Sequence, residues 1–432
     1  MNLYPFQQEG VDFLYAHSAA LLADEQGLGK TIQAIRAFSE LKARKVLIVC
    51  PASVKYNWQR EIEKWSPVWY NVQVLEGMYA RIARWADVVI TNYDLLLSPS
   101  IYEQIKQMEF AVGIFDEAHY LKTPASKRTR AILLRGGVAS RCVFKWFLTG
   151  TPVLNRPVEL YPLLKAAAPE LIRPHHSEKA FGKRWCGGHY RTNEYGGEWW
   201  DKGATNIEEL NEKLTRSGFM LRRLKSEVLD ELPEKMYQIL PISTKGLGQS
   251  RFLTWDKNDA RRVNLSRLEP GELARFRHNL AIAKLSYVES HIHDLLATRS
   301  KLVVFAYHRD VLEHLERQFS GVGTALIYGG ISASERDRLV SDFQSNPSTH
   351  LFLGQITAAG TGITLTAADT AVFAEISWVP GEIFQACDRI HRIGQKNAVL
   401  IQFLVFENTL EEFMLRTVID KKETIHQIVE TQ

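Results

Sequence analysis

Asp24-Glu25-Gln26-Gly27-Leu28-Gly29-Lys30-Thr31 is the segment of this chain that says most about its architecture. An apolar run, Ala19 to Ala23, comes before it, and a segment with helical spacing, Ile32 to Leu41, comes after it. A strand, a glycine-bearing turn and a helix in this order are typical of a phosphate-binding loop. The segment therefore predicts an α/β fold with a nucleotide site at the start of a helix.

Each residue type in this loop suits a phosphate ligand. Gly27 and Gly29 let backbone N–H groups turn inward around phosphate oxygens, and the helix N-terminus adds a partial positive charge. We expect Lys30 to reach the terminal phosphates and Thr31 to hold magnesium. A bare match of this kind also occurs in loops that bind no nucleotide, so the interpretation depends on the motifs that follow.

A pair of carboxylates is the first of those motifs. Asp116-Glu117-Ala118-His119 comes directly after the apolar run Ala111 to Phe115. A carboxylate at the end of a buried strand beside a phosphate loop can hold magnesium through water, a role that we assign to Asp116. Glu117 is then the candidate base that polarises the attacking water. The alternative, in which both residues only cap the next helix, does not explain the order of the two motifs.

A glutamine near the start of the chain is the candidate adenine ligand. Gln7 lies in Tyr4-Pro5-Phe6-Gln7, and its amide can both donate to and accept from the edge of adenine. On its own this motif usually belongs to a helix surface, so it gains weight only beside the loop and the carboxylates. Together the three motifs predict ATP and magnesium as cofactors.

Short β-branched runs recur along the chain, each followed by a segment with helical spacing. The runs are Val46 to Cys50, Val88 to Thr91, Ala111 to Phe115, Phe147 to Thr149, Leu302 to Phe305, Leu351 to Leu353 and Ala371 to Ala374. This alternation predicts parallel sheets covered by helices. Because the runs form two groups, we expect two α/β lobes in tandem with helical insertions between them.

Domain boundaries follow from a change in amino-acid composition between the two groups of predicted strands. We expect lobe one over residues 1–168 and a helical insertion and linker over 169–234, where a Gly/Trp/Tyr-rich piece gives way to charged helices. Lobe two is expected to start over 235–287, with a helical protrusion, and to occupy 288–432, ending in a brace helix around Leu410 to Phe413.

Composition limits the class of protein. The chain has 432 residues, 45% of them apolar and 24% charged, and a formal net charge of +4, which permits a polyanionic partner without requiring one. Four scattered cysteines form no metal-ligand pair. The sequence also lacks a run of about 20 apolar residues and an apolar leader, so we expect no membrane association.

A segment late in the chain carries two arginines: Gln385-Ala386-Cys387-Asp388-Arg389-Ile390-His391-Arg392-Ile393-Gly394-Gln395. Their spacing predicts that Arg389 and Arg392 share one helix face and point at one target. If lobe two meets lobe one, they can stabilise the charge that develops on the transferred phosphoryl group. An arbitrary Arg-x-x-Arg is more often a solvated helix end.

In this order the motifs resemble helicase superfamily two and, more narrowly, the Swi/Snf-type ATPases. The resemblance covers nearly the whole chain: Gln7, Asp24 to Thr31, Pro51 with Asn57-Trp58, Thr91-Asn92-Tyr93, the Asp116 motif, Leu148-Thr149-Gly150-Thr151-Pro152, Gly354 to Asp369 and Gln385 to Gln395. Two further stretches are similar to the HARP-like annealing-helicase branch: Phe181-Gly182-Lys183-Arg184-Trp185-Cys186 and Leu221-Arg222-Arg223-Leu224-Lys225-Ser226-Glu227-Val228-Leu229.

The resemblance implies two RecA-like lobes and ATP-driven movement along double-stranded DNA, with remodelling or reannealing of DNA or displacement of bound proteins. It further implies that the nucleotide site includes Gln385, that nucleotide state is coupled to lobe motion by Thr149, Gly150 and Thr151, and that the DNA backbone is contacted by Thr91, Lys122, Gly360 and Thr361. Thr123 and Val379 depart from the residues usual in relatives, which leaves the efficiency of stepping open.

Two other functions remain open at this point. One is a true strand-separating helicase, and the other is a nucleotide-dependent recruitment module that binds DNA without turnover. Double-stranded or forked DNA is the expected partner. We expect a monomer that either works alone or takes its specificity from a protein partner. Since no further domain follows the motor motifs, we expect a cytoplasmic protein of bacterial origin, or of viral origin in a host cytosol.

Overall fold

A computed structural model describes residues 2–150, 156–193, 196–201, 203–229, 231–244, 270–359, 362–416 and 418–419. These residues divide into two compact units, one up to residue 229 and the other from residue 231. In the described residues, no helix combines the length and the apolar character needed to cross a bilayer.

A seven-stranded, fully parallel sheet forms the centre of the first unit, with strand order β3-β4-β2-β5-β6-β1-β9. Its strands are β1 (Ala19–Leu22), β2 (Val46–Cys50), β3 (Val72–Val74), β4 (Val88–Asn92), β5 (Phe110–Asp116), β6 (Cys142–Leu148) and β9 (Met220–Leu221). The central strands are continuous apolar runs because both faces of the sheet are covered.

Helices cover both faces of this sheet. They are α1 (Pro5–Ala16), α2 (Lys30–Glu40), α3 (Lys55–Trp65), α4 (Pro99–Lys106), α5 (Lys127–Leu133), α6 (Tyr161–Ala167), α7 (Glu178–Trp185), α8 (Ile207–Arg216) and α9 (Lys225–Val228). Alternate strand residues enter different cores: Leu21 and Leu47 face one, whereas Leu22 and Ile48 face the other. This is the side-chain alternation that the pleat imposes.

The region after residue 168 is less helical than expected. It contains an antiparallel hairpin of β7 (His189–Asn193) and β8 (Gly196–Trp200). It also supplies β9, which pairs with β1 through Leu21 and Met220. The sequence could not reveal so short a strand, because it forms only by pairing with a strand about 200 residues earlier. The proposed boundaries at 168 and 234 stay predictions.

The second unit is built on a six-stranded, fully parallel sheet with strand order β10-β15-β14-β11-β13-β12. Its strands are β10 (Lys235–Ile242), β11 (Leu302–Ala306), β12 (Thr324–Ile327), β13 (Leu351–Gln355), β14 (Thr370–Phe373) and β15 (Val399–Phe406). Its helices are α10 (Pro270–Leu296), α11 (Arg309–Gln318), α12 (Ala333–Ser345), α13 (Ile356–Ala359) and α14 (Pro380–Cys387), and residues 410–416 are also helical.

The two sheets confirm the predicted fold class of two parallel-sheet α/β lobes. Each sheet has its own apolar core, and β11 of the second unit is buried along its whole length. In an open parallel sheet, ligands bind where strands end at their carboxyl edge. We therefore expect the functional residues of each unit to lie near the carboxyl ends of its strands.

Candidate nucleotide site

The phosphate-binding loop follows β1 and ends where α2 begins at Lys30. Gly27 and Gly29 both have left-handed backbone conformations, with φ of 92° and 81°. A Cβ on Gly29 would lie 2.6 Å from Nε2 of Gln7. Glycine is therefore required at position 29 both for its φ and for the close approach of α1.

The ammonium group of Lys30 lies inside the loop. Its Nζ donates to the carbonyl oxygen of Asp24 at 2.6 Å and to that of Glu25 at 3.3 Å. Burial lowers the pKa of Lys30, and the negative charges of Glu117, Asp24 and Asp116 oppose that fall. The lysine is thus near both carboxylates of the second motif. Thr31 follows it in the first turn of α2.

Gln7 is buried against the loop. Its Nε2 donates to the carbonyl oxygen of Leu28 at 3.2 Å, and its Oε1 accepts from the backbone N–H of Tyr4 at 3.1 Å. The predicted adenine ligand therefore lies beside the phosphate loop, with its amide oriented by two backbone groups.

Asp116 is the last residue of β5, so its side chain lies at the carboxyl edge of the sheet. Its Oδ2 accepts from Nε1 of Trp58 at 2.8 Å, and its Oδ1 accepts from the backbone N–H of Glu117 at 2.9 Å. Burial, with the adjacent charge of Glu117, raises the pKa of the Asp116 carboxyl to about 6. Strongly shifted carboxylates of this kind are common in functional sites.

Glu117 has a left-handed backbone with φ of 52°, which is uncommon for a residue other than glycine. Strained positions of this kind cluster at functional sites. Its Oε2 lies 3.2 Å from Nδ1 of His119, and that nitrogen lies 3.4 Å from Oγ1 of Thr149. His119 therefore stands between the candidate base and the segment predicted to couple nucleotide state to motion.

The coupling segment lies next to the phosphate loop. The backbone N–H of Thr149 donates to the carbonyl oxygen of Leu22 at 3.2 Å. A Cβ on Gly150 would lie 2.2 Å from Cγ of Gln26, so a larger residue would displace the loop. Thr151 lies outside the described residues.

Two residues of this site escaped sequence reasoning. Trp58 belongs to a quoted motif, but its role as a donor to Asp116 was not predicted. A buried tryptophan needs an acceptor for its N–H, which was the available signal. Arg223, far along the chain, forms an ion pair with Asp24. The available signal was its place in the stretch Leu221 to Leu229, which resembles the annealing-helicase branch.

The residues predicted to contact DNA differ in how exposed they are. Thr91 is 0% exposed in β4, as is usual for a β-branched residue that completes an apolar run. Its assignment as a DNA contact stays a prediction. Lys122 is partly exposed, and its Nζ lies 3.7 Å from Oε1 of Glu159. Gly360 and Thr361 lie outside the described residues.

The arginine segment of the second unit differs from its prediction. Helix α14 ends at Cys387, so Arg389 and Arg392 lie in turns and share no helix face. The reason is local: Ile390 N–H donates to the carbonyl oxygen of Cys387, a tighter bond than a helix makes. Gln385 is buried within α14.

Hydrogen bonds join these turns to a neighbouring loop. Nη1 of Arg392 donates to the carbonyl oxygen of Ile363 at 3.1 Å, and the carbonyl oxygen of Arg389 accepts from the N–H of Leu365 at 2.8 Å. Both arginines are thus held next to the stretch that follows residues 360 and 361, which were predicted to contact DNA.

Sequence families with this arrangement of motifs match the chain. The SNF2-related domain matches residues 6–292, and the helicase conserved C-terminal domain matches residues 283–394. Because the first match covers more than half of the chain, the chain belongs to the SNF2-related family. This confirms the predicted Swi/Snf-type relationship and the predicted class of helicase-like enzyme.

Individual relatives show to which branch of the family this chain is similar. The human "DNA annealing helicase and endonuclease ZRANB3" is 38% identical over 431 residues, which are 96% of this chain and 39% of that protein. The "SWI/SNF-related matrix-associated actin-dependent regulator of chromatin subfamily A-like protein 1" of Xenopus tropicalis is 35% identical, over 99% of this chain and 45% of that protein. These relatives confirm the annealing-helicase branch. The chain spans less than half the length of either.

Among solved structures, the Sulfolobus solfataricus SWI2/SNF2 ATPase core in complex with dsDNA is similar to this chain. It is 22% identical and has a TM-score of 0.47, and the match covers 100% of this chain and 98% of the other.

The expectation of a bacterial or viral cytoplasmic protein is wrong. Relatives that are 32% to 38% identical to this chain come from eukaryotes, including human, Xenopus, Caenorhabditis elegans and Drosophila melanogaster, and one group is named for chromatin. The error came from inferring a source from the compactness of the chain. A two-lobed core has the same size inside a much longer protein, as the partial coverage of these relatives shows.

Proposed function

We propose that this chain hydrolyses ATP and uses the energy to move along double-stranded DNA. The observation that carries the proposal is the arrangement at the carboxyl edge of the first sheet. There the ammonium of Lys30 lies within electrostatic reach of both Asp116 and Glu117. A cation that can bind phosphates beside carboxylates that can hold magnesium and activate water is the arrangement that phosphoryl transfer requires.

In this proposal the loop binds Mg-ATP. Gly27 and Gly29 present backbone N–H groups to the phosphates, and Lys30 turns from its carbonyl partners to the terminal phosphates. Thr31 and Asp116 would hold the magnesium ion, which would neutralise negative charge on the phosphates. Gln7 reads the adenine. The raised pKa of Asp116 fits this assignment, since a nearby dication would favour its ionised form.

Glu117 polarises the water that attacks the terminal phosphate, and its proximity to His119 supports a role for Thr149 in reporting that step. Arg389 and Arg392 supply positive charge to the transition state when the second unit closes on the nucleotide, with Gln385 nearby. Arginine fingers contribute roughly 10³ to 10⁵ in rate. Hydrolysis would therefore depend on closure, and closure would depend on ATP.

Movement requires that the grip on DNA differ between nucleotide states, since equal grips yield no net work. We propose that Lys122 and the loop around Gly360 and Thr361 contact backbone phosphates. Such contacts give binding that is independent of sequence and weakens steeply as salt rises. We propose that Thr149, Gly150 and Thr151 transmit the nucleotide state, and the close packing of Gly150 against Gln26 of the phosphate loop supports this role.

The experiment compares wild type with Lys30→Ala. Phosphate release is measured without nucleic acid and with single-stranded DNA, duplex DNA, forked DNA and RNA, alongside displacement of the third strand from a triplex. Lys64→Ala, which removes an exposed lysine on α3, is the matched control. We expect stimulation by duplex DNA and triplex displacement in wild type and the control only. Undiminished activity in Lys30→Ala would end the proposal, and wild type without turnover would favour a recruitment module.

We further propose that the movement reanneals complementary strands. Relatives that span this chain are named as annealing helicases, and this supports the proposal without deciding it. Reannealing of complementary strands coated with a single-strand-binding protein measures it. Wild type should rejoin them in an ATP-dependent manner, and equal rates with Lys30→Ala would contradict the proposal.

Strand separation is the second candidate, favoured by the hairpin of β7 and β8. Trp199 anchors the hairpin, because a Cβ on Gly188 would lie 2.5 Å from Cζ2 of its ring. Tyr190 is 64% exposed and could stack on a base at a fork. Unwinding of a forked duplex by wild type, lost in Tyr190→Ala but kept in Tyr79→Ala, would support this candidate. Tyr79 is the matched control because it is 84% exposed.

A further inference from the structure

Arg223 lies outside every motif assigned to the nucleotide, yet it is buried against the phosphate loop. Its Nε donates to Oδ1 of Asp24 at 3.0 Å, and its Nη2 donates to Oδ2 at 2.6 Å. A two-pronged arginine–carboxylate pair of this kind fixes both position and orientation. Asp24 is the first residue of the loop, so the pair ties the loop to a distant part of the chain.

The same guanidinium binds two helices. Nη1 donates to the carbonyl oxygen of Phe6 in α1, and Nη2 donates to Oε1 of Gln33 in α2 at 3.0 Å. Gln33 in turn donates to Oδ2 of Asp24 at 3.1 Å and to the carbonyl oxygen of Leu28 at 3.2 Å. One side chain therefore links the loop, the helix that carries Gln7 and the helix that follows the loop.

The backbone around Arg223 extends this link. The N–H of Ala23 donates to the carbonyl oxygen of Leu221 at 2.8 Å, and the N–H of Glu25 donates to that of Arg223 at 2.9 Å. The pairing of β9 with β1 thus continues into the first residues of the loop. The loop begins as a strand held by residues 221–223.

Gly10 shows how tightly this network is packed. A Cβ at that position would lie 1.7 Å from Oε1 of Gln33 and 2.9 Å from Nη2 of Arg223. Both atoms belong to buried, hydrogen-bonded side chains, so neither can move aside without breaking a bond. A methyl group at position 10 would therefore disturb the network without removing any of its charges.

We propose that Arg223 is a positioning residue for ATP, which holds Asp24 and the loop in register with α1 and Gln7. It contacts no nucleotide itself. A loop that is already held in its binding conformation loses less conformational entropy when ATP binds. Loss of Arg223 therefore weakens nucleotide affinity. It leaves the chemical step largely intact. The inference rests on the proposed ATP binding and goes beyond it.

The test compares Arg223→Lys, Arg223→Met, Gly10→Ala and the double variant Arg223→Met/Asp24→Asn with wild type. DNA-stimulated turnover gives KM and kcat, and titration with a fluorescent ATP analogue gives Kd. We expect about a tenfold rise in KM and Kd for each variant, with kcat within about threefold of wild type. Arg216→Met is the matched control, since Arg216 lies in an exposed ion pair on α8, and it should change neither.

The double variant separates positioning from simple support of the fold. It leaves no uncompensated buried charge, so its melting temperature should recover relative to Arg223→Met. Under the proposal its KM stays high, whereas a KM that returns with the melting temperature would overturn the proposal. Normal KM in Arg223→Lys and Gly10→Ala would also overturn it. Wild type that neither binds nor hydrolyses ATP would instead refute the proposed function.

Discussion

Among the residues that the structure describes, each unit contains a buried ion pair that joins distant parts of the chain. In the first unit Arg223 binds Asp24 with two hydrogen bonds. In the second, Nζ of Lys284 in α10 donates to both carboxylate oxygens of Glu411, at 2.6 and 2.8 Å. Lys284 and Asp24 are both completely buried. By burial and geometry alone the two pairs look alike.

Their neighbours differ. Asp24 is part of the phosphate loop, and its carbonyl oxygen accepts from Lys30. The described contacts of the second pair are with β15: Lys284 donates to the carbonyl oxygen of Leu404, and Glu411 accepts from the N–H of Phe406. A buried pair is therefore no sign of function by itself. What distinguishes the first is that its carboxylate belongs to the loop that we propose binds the phosphates of ATP.

The largest expected effect comes from a comparison of two carboxylates, Glu117 and Glu411. Glu117→Gln should slow ATP turnover by about 10² to 10⁴, because the general base is lost, while the melting temperature stays unchanged. Glu411→Gln should lower the melting temperature, because it weakens a buried pair, with KM for ATP unchanged. Phosphate release and thermal unfolding measure both. Glu103→Gln, an exposed change on α4, is the control. Near-normal turnover in Glu117→Gln would remove the proposed base.

The next effect concerns the pair of the second unit alone. Lys284→Met leaves the carboxylate of Glu411 buried without its cation, which should cost about 3 to 5 kcal/mol of unfolding free energy. Denaturant titration measures this, and KM for ATP should be that of wild type in the folded fraction. A raised KM would show that the two pairs are not functionally distinct.

Removing both charges should reverse most of that loss. Lys284→Met/Glu411→Leu should unfold within about 1 to 2 kcal/mol of wild type, because well-packed apolar residues can replace a buried pair at little cost. Here stability and KM should both be close to wild type. In the double variant of Arg223 and Asp24 only stability should recover. If both double variants behave alike, the contrast between the pairs fails.

The sequence was a good guide to elements that contiguous residues form. The strand, loop and helix around Lys30 and the carboxylates that end β5 are local patterns, and the structure has them in the expected order. Hydrophobic periodicity and turn chemistry specify such patterns within a window of about 20 residues. The two parallel sheets follow from repeating that pattern in each half of the chain.

The sequence was a poor guide where the chain folds back on itself. Neither β9 nor the role of Arg223 could be found, because both depend on pairing with β1 from about 200 residues away. The spacing of Arg389 and Arg392 predicted a shared helix face, but α14 stops at Cys387. A spacing of three residues has meaning only if the helix continues, and here a local turn, with a bond from the N–H of Ile390 to the carbonyl oxygen of Cys387, follows the helix.

The smallest expected effect concerns Asp116. Among the described residues, its carboxylate has no cation as close to it as Arg223 is to Asp24 or Lys284 is to Glu411. Burial raises the pKa of Asp116 to about 6, so its ionised form is disfavoured in the folded protein. The stability that this group contributes is fully present below its unfolded pKa of about 3.9, and it is lost as pH rises through about 6. Without magnesium or nucleotide, Asp116→Asn should therefore be more stable than wild type at pH 8.

We expect that gain to be about 1 to 2 kcal/mol, after allowance for partial exposure, and to shrink as pH falls from 6 toward 4. Thermal unfolding across this pH range measures it, with Asp12→Asn on the exposed side of α1 as the control. A variant less stable than wild type at pH 8 would mean that the bonds from Trp58 and from the N–H of Glu117 outweigh burial. Asp116 would then resemble the paired carboxylates, held by its donors and not strained by its surroundings.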